Sequence, residues 1–234
     1  MGENREQGHF GTMKEWKIDA EIYENIPMFP LKNAHLFPGA VLPLHIFEPR
    51  YVEMVEHVMD NGSNAIAIAS STPTSGTSEE PASVRPIMGA GVIFAAEKLE
   101  EGRWNILLRG ISRICLTEET PSSFQFRTIR AAVLNDVNVE IAHPLHTQLR
   151  SLLGQLAQTA PEAREGLNLI MSQGSTPGTL TNLLGAHATS DPYVRRQLLE
   201  SVDVEKRLRI ATRYIGELLL ERMDVPEKDT ETFH

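Results

Sequence analysis

The sequence contains a single cysteine, Cys115, among its 234 residues. An intramolecular disulfide and a multi-cysteine zinc site are therefore excluded, which agrees with a reducing compartment. The sequence also lacks any apolar run near the roughly 18 residues needed to span a bilayer. Its first 22 residues are polar and have no signal-peptide core. These absences predict a cytoplasmic protein without a membrane segment.

Basic residues are scarce, since 22 Lys and Arg face 31 Asp and Glu, for a net charge of −9. This balance disfavours a general binder of nucleic-acid phosphates. No basic stripe with interleaved aromatic residues is visible either. The apolar fraction of 41% and the charged fraction of 23% are ordinary for a globular protein. The length suggests one or two domains with a substantial core.

Prolines are concentrated in one stretch, residues 26–51, which holds those at 27, 30, 38, 43 and 49. Because proline fixes φ and lacks an N–H, the short apolar runs here are predicted to be edge or kinked strands. Phe37-Pro38-Gly39 predicts a corner with a positive φ at Gly39. Pro49 suits the first turn of a helix, and Asn61-Gly62 can end that helix.

This stretch, IPMFPLKNAHLFPGAVLPLHIFEPRY, resembles the start of the Lon protease N-terminal domain. The shared features are a proline-flanked strand, a Phe-Pro-Gly corner and an apolar Phe-Glu-Pro-Arg-Tyr segment. By this resemblance the chain is identified as a stand-alone bacterial member of the family. The resemblance implies an α+β fold, in which a PUA-like β-barrel is followed by a C-terminal helical bundle.

The next segment predicts several short strands. A buried strand at 65–69 is followed by a Ser-, Thr- and Pro-rich stretch, 70–83, that should be an exposed loop. Strands are then expected at 89–94 and 104–109, with a corner at Gly110 and further strands beyond it. Closely spaced strands joined by short turns favour a closed sheet. The glycines of this region also resemble the family pattern.

Beyond Asn135 the apolar period changes to about 3.6, which predicts helices. Residues 196–208 resemble the Lon signature that joins the last two helices of the domain. The expected domains are a mobile N-terminal arm, a PUA-like β domain, a helical bundle and a C-terminal tail, at residues 1–22, 23–136, 137–225 and 226–234.

Candidates for covalent or metal chemistry are weak. Cys115 would need a nearby histidine to act as a nucleophile, and its place in an alternating strand favours a buried structural thiol. His143 and His146 could share a helix face and bind zinc, but no neighbouring carboxylates or cysteines complete such a site. Glu48 and Arg50 are expected to satisfy backbone groups and each other, and His45 to be structural.

We therefore predict no catalytic, cofactor-binding or metal-binding residues. Lys206, Arg209 and Arg213 share a face of the last helix, with favourable spacings to Glu205 and Glu217. This pattern is typical of a solvated face. Its alternative meaning is a docking surface for an acidic partner.

The chain lacks the Gly-x-x-x-x-Gly-Lys-Ser/Thr loop of the Lon ATPase. Its expected function, by resemblance, is to bind unfolded polypeptide segments or a partner protein without ATPase or protease parts. An apolar groove or a sheet edge would accept the segment. The polypeptide-binding residues are not identified, but core or groove candidates are Met28, Phe29, Phe37, Phe47 and Met54. The alternatives are an RNA-binding PUA-like module and, less favoured, a hydrolase acting through Glu48, His45 or Cys115.

Overall fold

The structure is a computed structural model, and it describes residues 22–71, 83–140 and 143–223. Contacts divide the chain into a first unit that ends at Asn135 and a second that begins at Asp136. The predicted arm (apart from Ile22), most of the 70–83 loop and the predicted tail lie outside the described residues. None of the described helices is long and apolar enough to cross a membrane.

The first unit is a mixed β-sheet with one helix. Its helix, α1, spans Pro49–Asp60. The strands are β1 (Ile22–Leu31), β2 (Val41–Ile46), β3 (Ala65–Ser70), β4 (Ile87–Lys98), β5 (Trp104–Thr120) and β6 (Arg127–Leu134). They follow the order β2-β5-β4-β3-β1-β6, and β5 also pairs with β6. Five strands therefore close into a barrel, and β2 is attached to β5.

β5 is long enough to pair with two strands along one edge. Its residues 104–109 pair with β2, and residues 113–120 pair with β6. The predicted corner at Gly110 is wrong, because the strand runs through this position. Ala90 pairs with Ser112 and Gly91 with Gly110, so Ile111 is an extra residue in the ladder. Such a bulge increases twist without ending the strand.

The Phe-Pro-Gly corner packs against the glycines of the barrel. Gly39 has φ +83°, which confirms the predicted positive φ. Its N–H donates to the Gly110 carbonyl at 2.8 Å. A Cβ on Gly110 would lie 2.1 Å from the Phe37 carbonyl oxygen, and one on Gly89 would lie 1.9 Å from that of Leu36. Because the backbone of the corner approaches so closely, only glycine fits at these two positions.

β1 changes partner halfway along its length. Residues 22–28 pair with β6, residues 28–31 pair with β3, and the register shifts near Asn25, which has φ +53°. This break agrees with the predicted kinked strand. Pro27 pairs only with β6 and Pro30 only with β3, so each proline lies where β1 has a single partner among the described strands.

β2 is an edge strand that pairs with β5 alone among the described strands. The Gly110 N–H donates to the Ala40 carbonyl, and the antiparallel register pairs Leu42 with Leu108. Because hydrogen-bonded and non-hydrogen-bonded pairs alternate, the backbone groups of Val41, Pro43 and His45 point away from β5. Pro43 thus lies where its missing N–H costs no ladder bond.

α1 begins and ends where the sequence predicts. Pro49 occupies its first turn, Asn61 caps its C-terminus, and Gly62 follows with φ +72°. Tyr51, Met54, Val55 and Val58 are buried in a core cluster with β-strand residues that include Phe29, Ile66, Ile68, Ile106 and Leu108. Met59, at the end of the helix, is exposed.

The second unit is helical, with α2 (His143–Thr159), α3 (Arg164–Gln173), α4 (Pro177–His187), α5 (Pro192–Glu200) and α6 (Val204–Met223). Thr176 and Asp191 cap α4 and α5 through hydrogen bonds to backbone N–H groups, and a proline follows each cap. Leu149, Leu153 and Leu156 form the buried stripe of α2. The predicted α+β class, a β-barrel followed by a helical bundle, is confirmed.

Candidate functional site

The outward face of β2 and β5 carries exposed apolar side chains. Residues 42, 44 and 46 of β2 point towards the core, whereas Val41, Pro43 and His45 are exposed. Directly opposite on β5 lie Arg109, Leu107 and Asn105. Residues paired across a sheet share a face, so these side chains form one surface.

We call the apolar part of this surface the outer patch. Its members are exposed apolar side chains on or next to β2, β4 and β5: Val41 (37% exposed), Phe47 (63%), Phe94 (40%) and Leu107 (38%), together with exposed Pro43. An exposed apolar residue alone has no special meaning. A contiguous group is a feature of binding surfaces.

Phe94 reaches the patch through an irregularity in β4. Ile93 pairs with Leu108, but the next pair joins Ala95 to Leu107, so Phe94 is an extra residue in the strand. The Arg109 guanidinium lies over its ring, 4.9 Å from the centroid. A cation over an aromatic face is attracted by the ring quadrupole, so this contact holds both side chains at the surface.

His45 and Phe47 form the opposite end of the surface. The His45 Nδ1 atom lies 2.8 Å from the Asn105 side-chain oxygen. The Phe47 ring stacks on His45 with a centroid distance of 6.0 Å. His45 is thus oriented by Asn105, and Phe47 presents most of its ring to solvent.

The outer patch borders the edge of β2 with which no described strand pairs. Val41 and His45 offer backbone N–H and C=O groups there, and Pro43 offers only its carbonyl. An extended chain can satisfy such groups by adding a strand to the sheet. Apolar side chains and open backbone groups therefore lie side by side.

Comparison with known proteins decides the family. Residues 25–217 match the family described as the ATP-dependent protease La (LON) substrate-binding domain. The chain belongs to this family. The Lon protease of Desulfosudis oleivorans is 25% identical over 203 residues, which cover 85% of this chain and 24% of that protein. The Lon protease of Heliobacterium modesticaldum is 27% identical over 225 residues, covering 92% and 26%.

Solved structures agree on the fold. The N-terminal domain of Mycobacterium avium complex Lon protease has a TM-score of 0.64 at 18% identity, covering 83% of this chain and 99% of that one. A Lon N-terminal domain protein from Xanthomonas campestris has a TM-score of 0.59 at 19% identity, covering 85% and 98%. The chain spans about a quarter of the length of the curated Lon relatives above, so what it shares with them is the Lon substrate-binding domain.

The groove candidates of this Lon domain separate into two groups. Met28, Phe29, Phe37 and Met54 are buried, whereas Phe47 is mostly exposed. Val41, Phe94 and Leu107 were not identified from the sequence. Alternation along β2 was a usable signal for Val41, but the exposure of Phe94 depends on a bulge that no residue type marks.

The candidates for chemistry are not brought together. Glu48 and Arg50 form an ion pair at 2.7 Å, as predicted. Cys115 is half-buried rather than buried, and its Sγ contacts the Leu116 carbonyl oxygen at 3.8 Å. The side chain of His143 lies outside the described residues. Among the residues described, no group of three His, Cys, Asp or Glu side chains is arranged to hold a metal ion.

Surface cavities also lie in the described part of the helical unit of the Lon domain, and two of them bear on the predicted residues. The larger, about 440 Å³, has mainly apolar walls that include Leu167, Ile170 and Leu218, and the Glu162–Arg222 ion pair lies among its lining residues. A backbone hydrogen bond is the main cause that lowers the pKa of Glu162, and the side-chain hydrogen bond from Arg222 is the second.

The smaller cavity, about 270 Å³, is lined by residues of α5 and α6. Lys206, Arg209 and Arg213 all contribute to it, together with Glu217. The Arg209 guanidinium contacts the Glu205 carboxylate at 2.5 Å, so the predicted pair on this face is present. Surface pairs of this kind contribute little stability.

Proposed function

We propose that the chain is a non-catalytic module that binds extended apolar segments of unfolded polypeptides or of a partner protein. Membership of the Lon substrate-binding family supports a recognition role. The observation that carries the proposal is the contiguity of the outer patch with the unpaired edge of β2. We further propose that this recognition takes place in the cytoplasm and needs no ATP.

The segment would dock as an added strand beside β2. Its backbone would bond to the open groups of Val41 and His45, and alternate side chains would cover the outer patch. Burial of apolar surface contributes roughly 25 cal/mol per Å², but ordering a flexible segment offsets much of this gain. We expect micromolar or weaker affinity, near −8 kcal/mol for a micromolar constant.

RNA binding is the second candidate function. Phe47 and Phe94 expose aromatic rings, and the Arg109 guanidinium lies over that of Phe94. Such rings can stack with bases. The net charge of −9 opposes this alternative because phosphate binding needs a basic surface. Polypeptide binding through apolar contacts should change little with salt, whereas RNA affinity should fall steeply as salt increases.

The test is a titration of labelled unfolded protein and of single-stranded RNA at low and high salt. Phe47→Ser and Leu107→Ser should each weaken polypeptide binding, whereas Leu220→Ser, an exposed leucine of α6, should not. Leu169 lines the larger cavity of the helical unit. If Leu169→Ser were the only variant to lose binding, the segment would bind in that cavity and not on the outer patch. Salt-sensitive RNA binding without polypeptide binding would replace the proposal with the nucleic-acid alternative.

A further inference from the structure

Arg109 is an exposed cation inside an apolar surface. It lies opposite Val41 across the β2–β5 ladder, and its guanidinium covers the Phe94 ring. Within the described part of the chain, no carboxylate forms an ion pair with it. Many other arginines do contact a carboxylate, namely those at 50, 103, 127, 130, 207, 209 and 222.

Although the chain has a net charge of −9, the described contacts of the Arg109 guanidinium are confined to an aromatic ring, as are those of Arg196 over Tyr193. Structural roles for a surface arginine are an ion pair or a backbone contact, and neither is present at Arg109 in the described residues. Its contact with Phe94 instead orients the guanidinium on the patch, leaving its N–H groups for an incoming acceptor.

We propose that Arg109 makes the outer patch selective for apolar segments that carry a carboxylate beside their apolar side chains. This inference rests on the proposed function, since it names the class of segment that the patch accepts. The occupant is thus an extended polypeptide with valine-, leucine- or phenylalanine-type side chains and a Glu or Asp on the same face of the strand.

The geometry of an added strand permits this contact. Strands lie about 4.8 Å apart, so a strand beside β2 would be about two spacings from β5. Arg109 and a glutamate on that strand are both long side chains, and they can meet above Val41. Docking removes water from the apolar neighbours, and a charge-assisted hydrogen bond is stronger where water is excluded.

The net negative charge of the chain acts in the opposite direction. At long range it attracts basic segments and repels acidic ones. A local preference for carboxylates is therefore best measured as a change between variants at moderate salt, where the long-range term is screened. The matched variants are Arg109→Gln, which removes the charge, and Arg109→Glu, which reverses it.

The experiment uses labelled peptides that share one alternating valine and serine sequence. One central valine is replaced by Glu, Gln or Lys, so that the varied residue lies on the same face as the other valines. Affinity is measured by fluorescence anisotropy with the full chain. The wild type should bind the Glu peptide about two- to fivefold more tightly than the Gln peptide, and the Lys peptide least. Arg109→Gln should abolish this order, and Arg109→Glu should reverse it.

Arg103→Gln is the control, since Arg103 lies in the turn before β5 and contacts Glu101. It should keep the wild-type order. Equal binding of all peptides by the wild type would overturn the role of Arg109 but leave the proposed function intact. The same order in Arg109→Gln would also overturn it. Failure of every peptide and of unfolded protein to bind would overturn both proposals.

Discussion

The Arg207 guanidinium donates a hydrogen bond to the Asp136 carboxylate at 2.5 Å, within the helical unit. The Arg207 side chain is fully buried, whereas that of Asp136 is 30% exposed. Arg207 also donates to the Asn182 side-chain oxygen at 3.3 Å. The first residue of the helical unit is thereby fixed to α4 and α6. Gly178 permits this, since a Cβ built at this position would lie 2.8 Å from an Asp136 carboxylate oxygen and 3.3 Å from an Arg207 guanidinium nitrogen.

Removing the anion from this pair should be costly. Asp136→Ala leaves a buried cation without its carboxylate, and breaking a buried pair costs about 3–5 kcal/mol. The partial exposure of Asp136 places the expected loss near the lower end of that range. Urea unfolding, monitored with a spectroscopic probe in the helical unit, gives the free energy of unfolding. Arg209→Met, which breaks an exposed pair, should cost less than about 1 kcal/mol. Equal losses in the two variants would contradict a structural role for the buried pair.

Sequence reasoning succeeds here where one residue acts locally. Pro49 predicts the start of α1 because the fixed φ of proline suits the first turn of a helix in any protein. Sequence reasoning fails where contacts with residues distant in the sequence determine the local conformation. Gly110 is typical of a corner, but its backbone contact with Phe37, which is far away in the sequence, is what requires glycine. The sequence places Phe94 in a strand, but the irregular pairing register of β4 with β5 is what exposes its side chain.

Gly39→Val should destabilise the β-barrel unit. Gly39 has φ +83°, a region that β-branched residues avoid, and the strain costs roughly 1–3 kcal/mol. Nothing lies within 4 Å of a Cβ built at this position, so the loss would come from the backbone alone. Gly39→Asn should cost less because asparagine tolerates this region. Thermal unfolding measures both variants. An unchanged melting temperature in Gly39→Val would show that the corner adapts without strain.

Stability should depend on the ionisation of Asp203. Its carboxylate accepts the Lys206 N–H at 3.0 Å at the start of α6 and the Asn138 side-chain N–H at 2.9 Å. The hydrogen bond from the Lys206 backbone is the main cause that lowers the pKa of Asp203 below its ordinary value of 3.8, and the hydrogen bond from Asn138 is the second. A lowered pKa means that the stabilisation is complete above this ordinary value and is lost as the pH falls through the lower, folded-state pKa.

Asp203→Asn tests this dependence because asparagine caps a helix without titrating. The wild type should be more stable than the variant at neutral pH, and the difference should shrink as the pH falls below about 4. Asp203→Ala should cost about 1 kcal/mol at neutral pH through loss of the cap. Urea unfolding at several pH values measures these differences. A wild-type advantage that stays constant down to acidic pH would exclude the carboxylate as its source.

The purified chain should neither hydrolyse ATP nor cleave casein-like substrates. It has no phosphate-binding Gly-x-x-x-x-Gly-Lys-Ser/Thr loop, and Glu48 and His45 are bonded to Arg50 and Asn105. Release of phosphate and of casein fragments can be measured directly. Turnover that a point change in this chain abolishes would refute the non-catalytic interpretation, since a contaminating enzyme would not respond to such a change.

Pro43→Val should strengthen the pairing of other strands with the free edge of β2. Pro43 withholds the N–H that would point away from β5, between those of Val41 and His45. Proline on an edge strand limits pairing with other chains. Valine restores the donor, favours extended backbone and replaces the proline ring of the outer patch with a β-branched side chain. The variant should therefore bind extended peptides more tightly and self-associate at lower concentration, as measured by anisotropy and sedimentation.

Pro43→Ala separates the two contributions, because it restores the N–H without the β-branched side chain. If backbone pairing at the edge is the main effect, Pro43→Ala should gain most of the affinity that Pro43→Val gains. If apolar contact dominates, only valine should strengthen binding. A loss of peptide binding in both variants would mean that the edge donor is not used. The bound segment would then lie across the exposed side chains of the outer patch, without joining the sheet as a strand.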